Sequence, residues 1–390
     1  MKYNFDKLTD RTHTSSVKYD LRQAVFEKDD VIPMWVADMD FETPDFIRDA
    51  VIRRANHPVY GYTFRDEDYY HPIVAWMHSH HEWTIHRDDI VFSPGVVPAL
   101  SFAVMAFTKP GDRIIIQPPV YPPIRGAVVD HDRILSNNQL IQKENTYLID
   151  FALLEEQAKD AAMLILCNPH NPVGRCWNRE ELEKIAQICL EHHVLVFSDE
   201  IHADLVMPGY RHQVFANLSP EVAKITVTAH APSKTFNLAG LSTSSVIISN
   251  PALRASFSRV IEKMHLGMGN LFGSVASTAA YLHGEPWRLQ LIRYLDENIT
   301  FTEAFIRKNI PALHMFRPEG TYMIWLDFRT FGLDDKTLKS KLIHEAGLGF
   351  NPGTEFGPGG EGFMRMNIAC PRATLVSALD RLKGMLSFIK

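Results

Sequence analysis

The chain has 390 residues, 46% of them hydrophobic and 22% charged, which is ordinary for a globular protein and too long for one simple core. Its net charge of -6 offers no basic footprint for nucleic acid and no polybasic membrane anchor. Cys167, Cys176, Cys189 and Cys370 show neither CxxC spacing nor a disulfide framework, no apolar run reaches membrane-span length, and the polar start reads as lacking a signal peptide, so a cytoplasmic protein is expected.

In chain order, the first forty-odd residues read as irregular. Ile90–Ser93 reads as a short strand, and after Pro94-Gly95 a helix is predicted over Val96–Phe107, with Pro98 in its first turn. Arg113–Gln117 is the next strand and empties into a proline-rich loop carrying Tyr121. Met163–Cys167 is a continuous apolar run of the buried parallel kind, followed by the turn Asn168-Pro169-His170-Asn171-Pro172-Val173-Gly174. Leu182, Ile185, Ala186, Cys189 and Leu190 mark one face of a helix. Strands over Val194–Phe197 and Ile225–Thr228 then deliver Asp199 and Lys234, and Ser245–Ile248 is a further strand.

From Pro286 the character changes. A long helix is predicted over Trp287–Lys308, a strand over Thr321–Phe328 and a helix over Leu338–Ala346. A Gly/Pro-rich loop from Asn351 to Gly362, a strand near Phe363–Ala369 and a closing helix follow. The expected fold class is therefore α/β: a large domain with a mainly parallel sheet flanked by helices, plus a smaller α+β domain. The expected division is residues 1–45 as an arm and part of the small domain, 46–285 as the large domain and 286–390 as the C-terminal small domain.

The chemistry-bearing residues all follow strand ends, the edge at which open α/β sheets bind ligands. A lysine amine can condense with an aldehyde, a carboxylate can hold a pyridine nitrogen protonated, and an amide can donate to a phenolate oxygen. Lys234, Asp199 and Asn171 thus describe a pocket for pyridoxal 5'-phosphate. Gly95, Val96 and Val97 open a helix whose free N–H groups suit the phosphate, with Ser233 as an added hydroxyl. A plain turn-to-helix junction would look the same, and Asp199 could simply cap a helix.

Together, Asn168–Gly174, Asp199-Glu200-Ile201-His202 and Ser233-Lys234-Thr235-Phe236-Asn237 resemble the signatures of the class I/II aminotransferase family, the fold-type I pyridoxal-phosphate enzymes. Further segments resemble its carbon–sulfur β-lyase subgroup, the cystathionine β-lyases and cysteine desulfhydrases: Trp35–Phe41, Val59–Tyr62, Asp199–Leu205, Ala231–Leu241 and Arg365–Arg372. The resemblance implies Lys234 as cofactor-linked base, Asp199 at the pyridine nitrogen, Asn171 at the ring oxygen and Tyr121 stacked on the ring with a part in catalysis. It implies His202 beside the cofactor, although a packed core histidine fits equally. Arg365 would grip the substrate carboxylate, with Asn171 and Tyr121 also touching substrate, and Arg372 would be structural. Tyr62 would reach the phosphate of a neighbouring subunit, making a homodimer obligatory. Where many family members carry a phosphate-binding arginine, this chain has Ser242, which suits the lyase subgroup.

The implied reaction is α,β-elimination on cystathionine, cysteine or a related sulfur amino acid, giving a thiol, pyruvate and ammonia. Two alternatives stand beside it: an aminotransferase on the same scaffold, and a cofactor-binding regulator acting through a partner. Neither nucleic acid nor membrane is an expected partner. No metal is expected, because His81-Glu82 and His86 miss the spacing that puts two zinc-binding histidines on one helical face. Gly267, Gly269 and Gly273 likewise miss the dinucleotide spacing. The histidines at 78, 80, 81, 192 and 193 are expected on helix faces, most of them at the surface.

Overall fold

The structure is a computed structural model and describes residues 2–389. Its centre is a seven-stranded sheet built from β1 (Ile90–Ser93), β2 (Arg113–Ile116), β3 (Ile134–Asn137), β4 (Ala161–Cys167), β5 (Leu195–Asp199), β6 (Thr226–His230) and β7 (Ser244–Ile247). The spatial order is β1-β7-β6-β5-β4-β2-β3. All neighbours are parallel except β7, which runs antiparallel to both β6 and β1.

The apolar runs are continuous because both sheet faces are covered. Along β4, Leu164 and Leu166 pack with the helices Phe151–Ala158 and Arg179–Glu191, while Met163, Ile165 and Cys167 pack with Val96–Phe107, Pro122–Val129 and Pro251–Lys263. This is the period of two expected of a strand, with neither face left for polar residues. The helix Arg179–Glu191 starts on a reciprocal cap: Asn178 accepts from Glu181 N, and the Glu181 carboxylate accepts from Asn178 N.

The smaller sheet joins β8 (His314–Phe316), β9 (Met323–Asp327), β10 (Asn351–Pro352) and β11 (Phe363–Asn367) in the antiparallel order β8-β9-β11-β10. The helix Glu285–Asn309 leads into it, and Asp335–His344 and Arg372–Leu386 cover it. The first forty residues are more ordered than their composition suggests. They hold two short helices, Val17–Asp20 and Arg22–Phe26, and Ile32–Pro33 pairs in parallel with Leu348–Gly349. Helices Asp45–Ala55, Glu67–His81 and Leu271–His283 pack on one another around that same core. Among the described residues no helix is long and apolar enough to cross a membrane.

Candidate active site

Parallel topology explains why residues far apart in sequence meet. β1, β2, β4, β5 and β6 all point one way, so Gly95, Tyr121, Asn171, Asp199 and Lys234 emerge at one edge of the sheet. Because β7 runs backwards, its start brings Ser242 and Thr243 to the same edge. There a cavity of about 180 Å³ is lined by Gly95, Val96, Val97, Tyr121, Asn171, Asp199, His202, Ser233 and Lys234, with Ala37, Cys167, Ser242 and Thr243 among the remaining walls.

The wall at Val96 and Val97 is the first turn of a twelve-residue helix, whose leading N–H groups have no partner within the helix. Gly95 enters that helix at φ 152°, a backbone geometry closed to most residues with a Cβ. On the opposite side, the Asn168–Gly174 turn carries cis peptide bonds before Pro169 and Pro172, and Gly174 sits at φ 77° with no room for a Cβ against Pro318.

Lys234 is enclosed. Burial, and then the charge of Arg365, lower its amine to about 8, against the opposing influence of Asp38 and Asp199. Its Nζ donates to the Ala37 carbonyl at 2.7 Å. Burial lifts the Asp199 carboxyl to about 6, although the Ile201 N–H and Lys234 pull the other way. A protonated ring nitrogen placed against Asp199 would restore its charge. Burial, Lys234 and Arg365 hold the His202 imidazole well below its ordinary range, so it is neutral. Burial raises the Tyr121 hydroxyl.

Arg365, on β11, is 4% exposed. It reaches the cavity through Asn171, whose Oδ1 accepts from Nη1 at 3.0 Å; Nη2 donates to Trp35 O at 2.9 Å and Asn351 Oδ1 at 2.8 Å. Two consequences follow. The Asn171 oxygen is occupied, which leaves its NH₂ as the group free for a ligand. Of the five guanidinium N–H groups, three are engaged, and the buried Nε has no protein partner. The His202 Nδ1 and Thr243 Oγ1 are likewise buried without partners. Orphaned polar atoms clustered at one cavity are what a polar ligand would satisfy.

Tyr62 is not in this cavity; its side chain is 96% exposed in the isolated chain. The segment Trp35–Asp38 adjoins the cavity, with Ala37 in its wall. Its carbonyls take Arg365, Lys234 and Tyr322. Tyr322 and Asn351 carry no local motif, and only their contacts reveal them. His81 is a correction to the surface assignment: it is buried, with Nε2 2.9 Å from Asp204 Oδ1. Asp204 also accepts from Trp76 Nε1 and Thr235 Oγ1, with His230 3.5 Å away, so this carboxylate tethers the turn that carries Lys234. The ligand atoms of His81, Asp204 and His230 lie within 4.8 Å of one another, but the carboxylate's positions are filled by these hydrogen-bond donors. Arg372 donates from Nε to Asn298 Oδ1 at 2.7 Å, within the C-terminal packing.

The fold and this edge-of-sheet lysine define the class. The profile of the family described as aminotransferase class I and II matches residues 29–382, and the chain belongs to that family. Among its relatives, cystathionine beta-lyase PatB of Bacillus subtilis (strain 168) is 46% identical over 98% of this chain and all of its own length. Among solved structures, cystalysin from Treponema denticola, which contains a pyridoxal 5'-phosphate cofactor, superposes with a TM-score of 0.97 at 38% identity and full coverage of both chains. The PLP-bound C-S lyase from Staphylococcus hominis gives 0.92 at 33% identity, covering 99% of this chain and 98% of that one.

Proposed function

We propose that this chain is a pyridoxal-phosphate-dependent carbon–sulfur β-lyase, cleaving L-cystathionine or a related cysteine S-conjugate to a thiol and an aminoacrylate, which water hydrolyses to pyruvate and ammonia. The observation that carries the reading is one cavity lined by an amine of lowered basicity and a buried carboxylate, with an arginine that has unspent donors hydrogen-bonded to its Asn171 wall. The full-length likeness to PatB and cystalysin supports elimination over transamination.

The cavity fits the cofactor on its own terms. Asp199 makes no salt bridge among the described residues and feels Lys234 as its nearby positive charge, the Asn171 oxygen is taken and leaves its NH₂ for a ligand, Tyr121 supplies a ring, and Val96 and Val97 offer helix N-terminal N–H groups to an anion. When bound, pyridoxal phosphate supplies the electron sink that acidifies the substrate Cα–H and lets a β-thiolate depart. The residues do the rest. Arg365 takes the α-carboxylate on its remaining N–H groups, orienting Cα toward Lys234. Lys234, with an amine near 8, removes the Cα proton. With the cofactor bound, Asp199 would keep a proton on the ring nitrogen, and Ser233 with the helix start would hold the phosphate. A thiolate needs little acid assistance because a thiol's pKa is only ~8.5.

The same reading makes the working form a homodimer, with Tyr62 of one protomer entering the other's phosphate site. Its almost complete exposure beside Val59, Tyr60 and Phe64, each at least half exposed, supports a surface meant to be covered. We take residues 46–285 as the cofactor-binding domain, with 1–45 and 286–390 forming the smaller one; the pairing of Ile32–Pro33 with Leu348–Gly349 supports this division. A cytoplasmic location agrees with four free, buried cysteines. With cystathionine as substrate the thiol product would feed methionine biosynthesis.

The test is purified holoenzyme with L-cystathionine and no keto acid, following thiol and pyruvate together. Equal release of both is expected. Release of neither, with turnover restored by a keto acid, would make the protein an aminotransferase.

A further inference from the structure

Beneath the active-site wall lies a group of four charges, of which Lys18 and Asp40 are buried and Arg11 and Asp38 partly so. Arg11 Nη2 donates to Asp38 Oδ2 at 2.6 Å and Nη1 to Asp40 Oδ1 at 2.7 Å. Lys18 Nζ, 1% exposed, lies 3.0 Å from Asp40 Oδ2 and 3.8 Å from Asp38 Oδ1. The charges sum to zero, and burial of Arg11 is outweighed by its two carboxylates, which hold its proton more tightly than usual. Such a cluster is a poor route to stability, since apolar residues of the same volume commonly do as well or better. What it offers is direction.

The segment it grips alternates in what it meets. The carbonyls of Trp35 and Ala37 accept from Arg365 and Lys234, while those of Val36 and Asp38 both accept from Asn367 Nδ2 at 2.7 Å. A slip of one residue would exchange the two sets and present the wrong carbonyls to the site. Trp35 Nε1 is tied back to Lys18 O at 3.2 Å, and Met39 N to Asn237 Oδ1 at 3.0 Å. Apolar packing would tolerate such a slip; four charges in fixed pairs do not. The Ala37 oxygen is saturated by Lys234 and by Tyr322, whose hydroxyl donates at 2.9 Å.

We propose that Arg11 and Lys18 are positioning residues for catalysis: with Asp38 and Asp40 they hold residues 35–40 in register, so that the Ala37 carbonyl seats the Lys234 amine during proton transfer. This rests on Lys234 being the base that removes the Cα proton. The charged groups acting on the Lys234 amine are Arg365, Asp38 and Asp199. Asp38 therefore serves twice, as the anchor for Arg11 and as a counter-charge to the lysine.

The test uses holoenzyme in D₂O with L-alanine, which has no group to expel from Cβ, and follows exchange of its Cα–H for deuterium by NMR across pH. Arg11→Gln is expected to lower the exchange rate at least about tenfold and to move the pH midpoint, with Arg11→Lys recovering most of the rate. Asp38→Asn should move the acid limb to lower pH, because Asp38 favours the protonated lysine. Lys7→Ala, which breaks only an exposed pair with Glu42, should leave both unchanged. Folded, cofactor-loaded Arg11→Gln exchanging within twofold of wild type at an unmoved midpoint would overturn the proposal. If Arg11→Gln does not retain cofactor, Asp38→Asn decides in the same way. Wild-type protein that exchanges no α proton also overturns it. Thiol and pyruvate release from L-cystathionine, run in parallel, judges the lyase assignment separately: exchange without release would sink that assignment and leave the register proposal standing.

Discussion

Replacing Arg365 by Gln removes the charge expected to bind the substrate carboxylate while keeping a polar side chain in the site. In the free protein this guanidinium is costly: burial brings its pKa down to about 10, against the raising influence of Tyr121, Glu355 and Tyr322. Three of its N–H groups are spent on Asn171, Trp35 and Asn351, which fix its plane. The remaining two can each form a charge-assisted hydrogen bond worth about 1.5–3 kcal/mol. Allowing for one weak replacement by the glutamine amide, the net loss is about 3–4 kcal/mol, or roughly 10²–10³ in kcat/KM. Thermal stability should change little, because relief of a buried cation offsets the lost contacts. Arg365→Lys should fall between, keeping charge without the planar fork. The assay is pyruvate release against L-cystathionine concentration, with melting followed in parallel. A folded Arg365→Gln enzyme retaining more than a fifth of wild-type kcat/KM would refute carboxylate binding at this position.

Lys234→Ala should lower turnover by roughly 10³ or more, as expected for loss of a general base, and leave no cofactor attached to the chain after borohydride reduction and denaturation; retained attachment would point to another lysine. Stability should fall as pH is lowered from 6.5 toward 4. His170, whose imidazole burial depresses to about 4, must take up a proton on unfolding, and His81 and His202 are lowered by burial in the same sense. Their contribution is present above the unfolded pKa and lost as pH falls through the folded one, about 3 kcal/mol for His170 alone. Asp199, raised to about 6, takes back part of this. Scanning calorimetry showing a melting temperature that rises between pH 7 and 5 would contradict the assignment. Tyr62→Phe should weaken cofactor retention about tenfold at unchanged melting temperature, since one charge-assisted hydrogen bond is lost from an exposed side chain; equal retention in a dialysis series would remove Tyr62 from the phosphate site.

Much of the sheet was readable because its strands are buried on both faces. The runs at Met163–Cys167 and Val194–Phe197 admit no polar residue, and the helix over Val96–Phe107 appears with its predicted bounds because Gly95 and Pro98 mark its entry. The reversed direction of β7 was not readable, since period and composition are the same either way. On the helix Glu67–His81 the burial of His81 was not readable, because a histidine is polar in isolation yet able to pack: Asp204, far along the chain, accepts its hydrogen bond.

The sequence by itself determined the strand-end positions of Asn171, Asp199 and Lys234, and with them the cofactor chemistry, because local apolar period and turn residues decide where each strand stops. Tertiary structure alone decided the supporting cast. That the Ala37 carbonyl meets Lys234, that Arg365 occupies the Asn171 oxygen, and that Arg11 and Lys18 hold Asp38 and Asp40 are contacts between separate chain segments. Backbone carbonyls carry no residue-specific signal, and the partner of a buried charge depends on which surfaces pack together, so neither can be read from spacing along the chain.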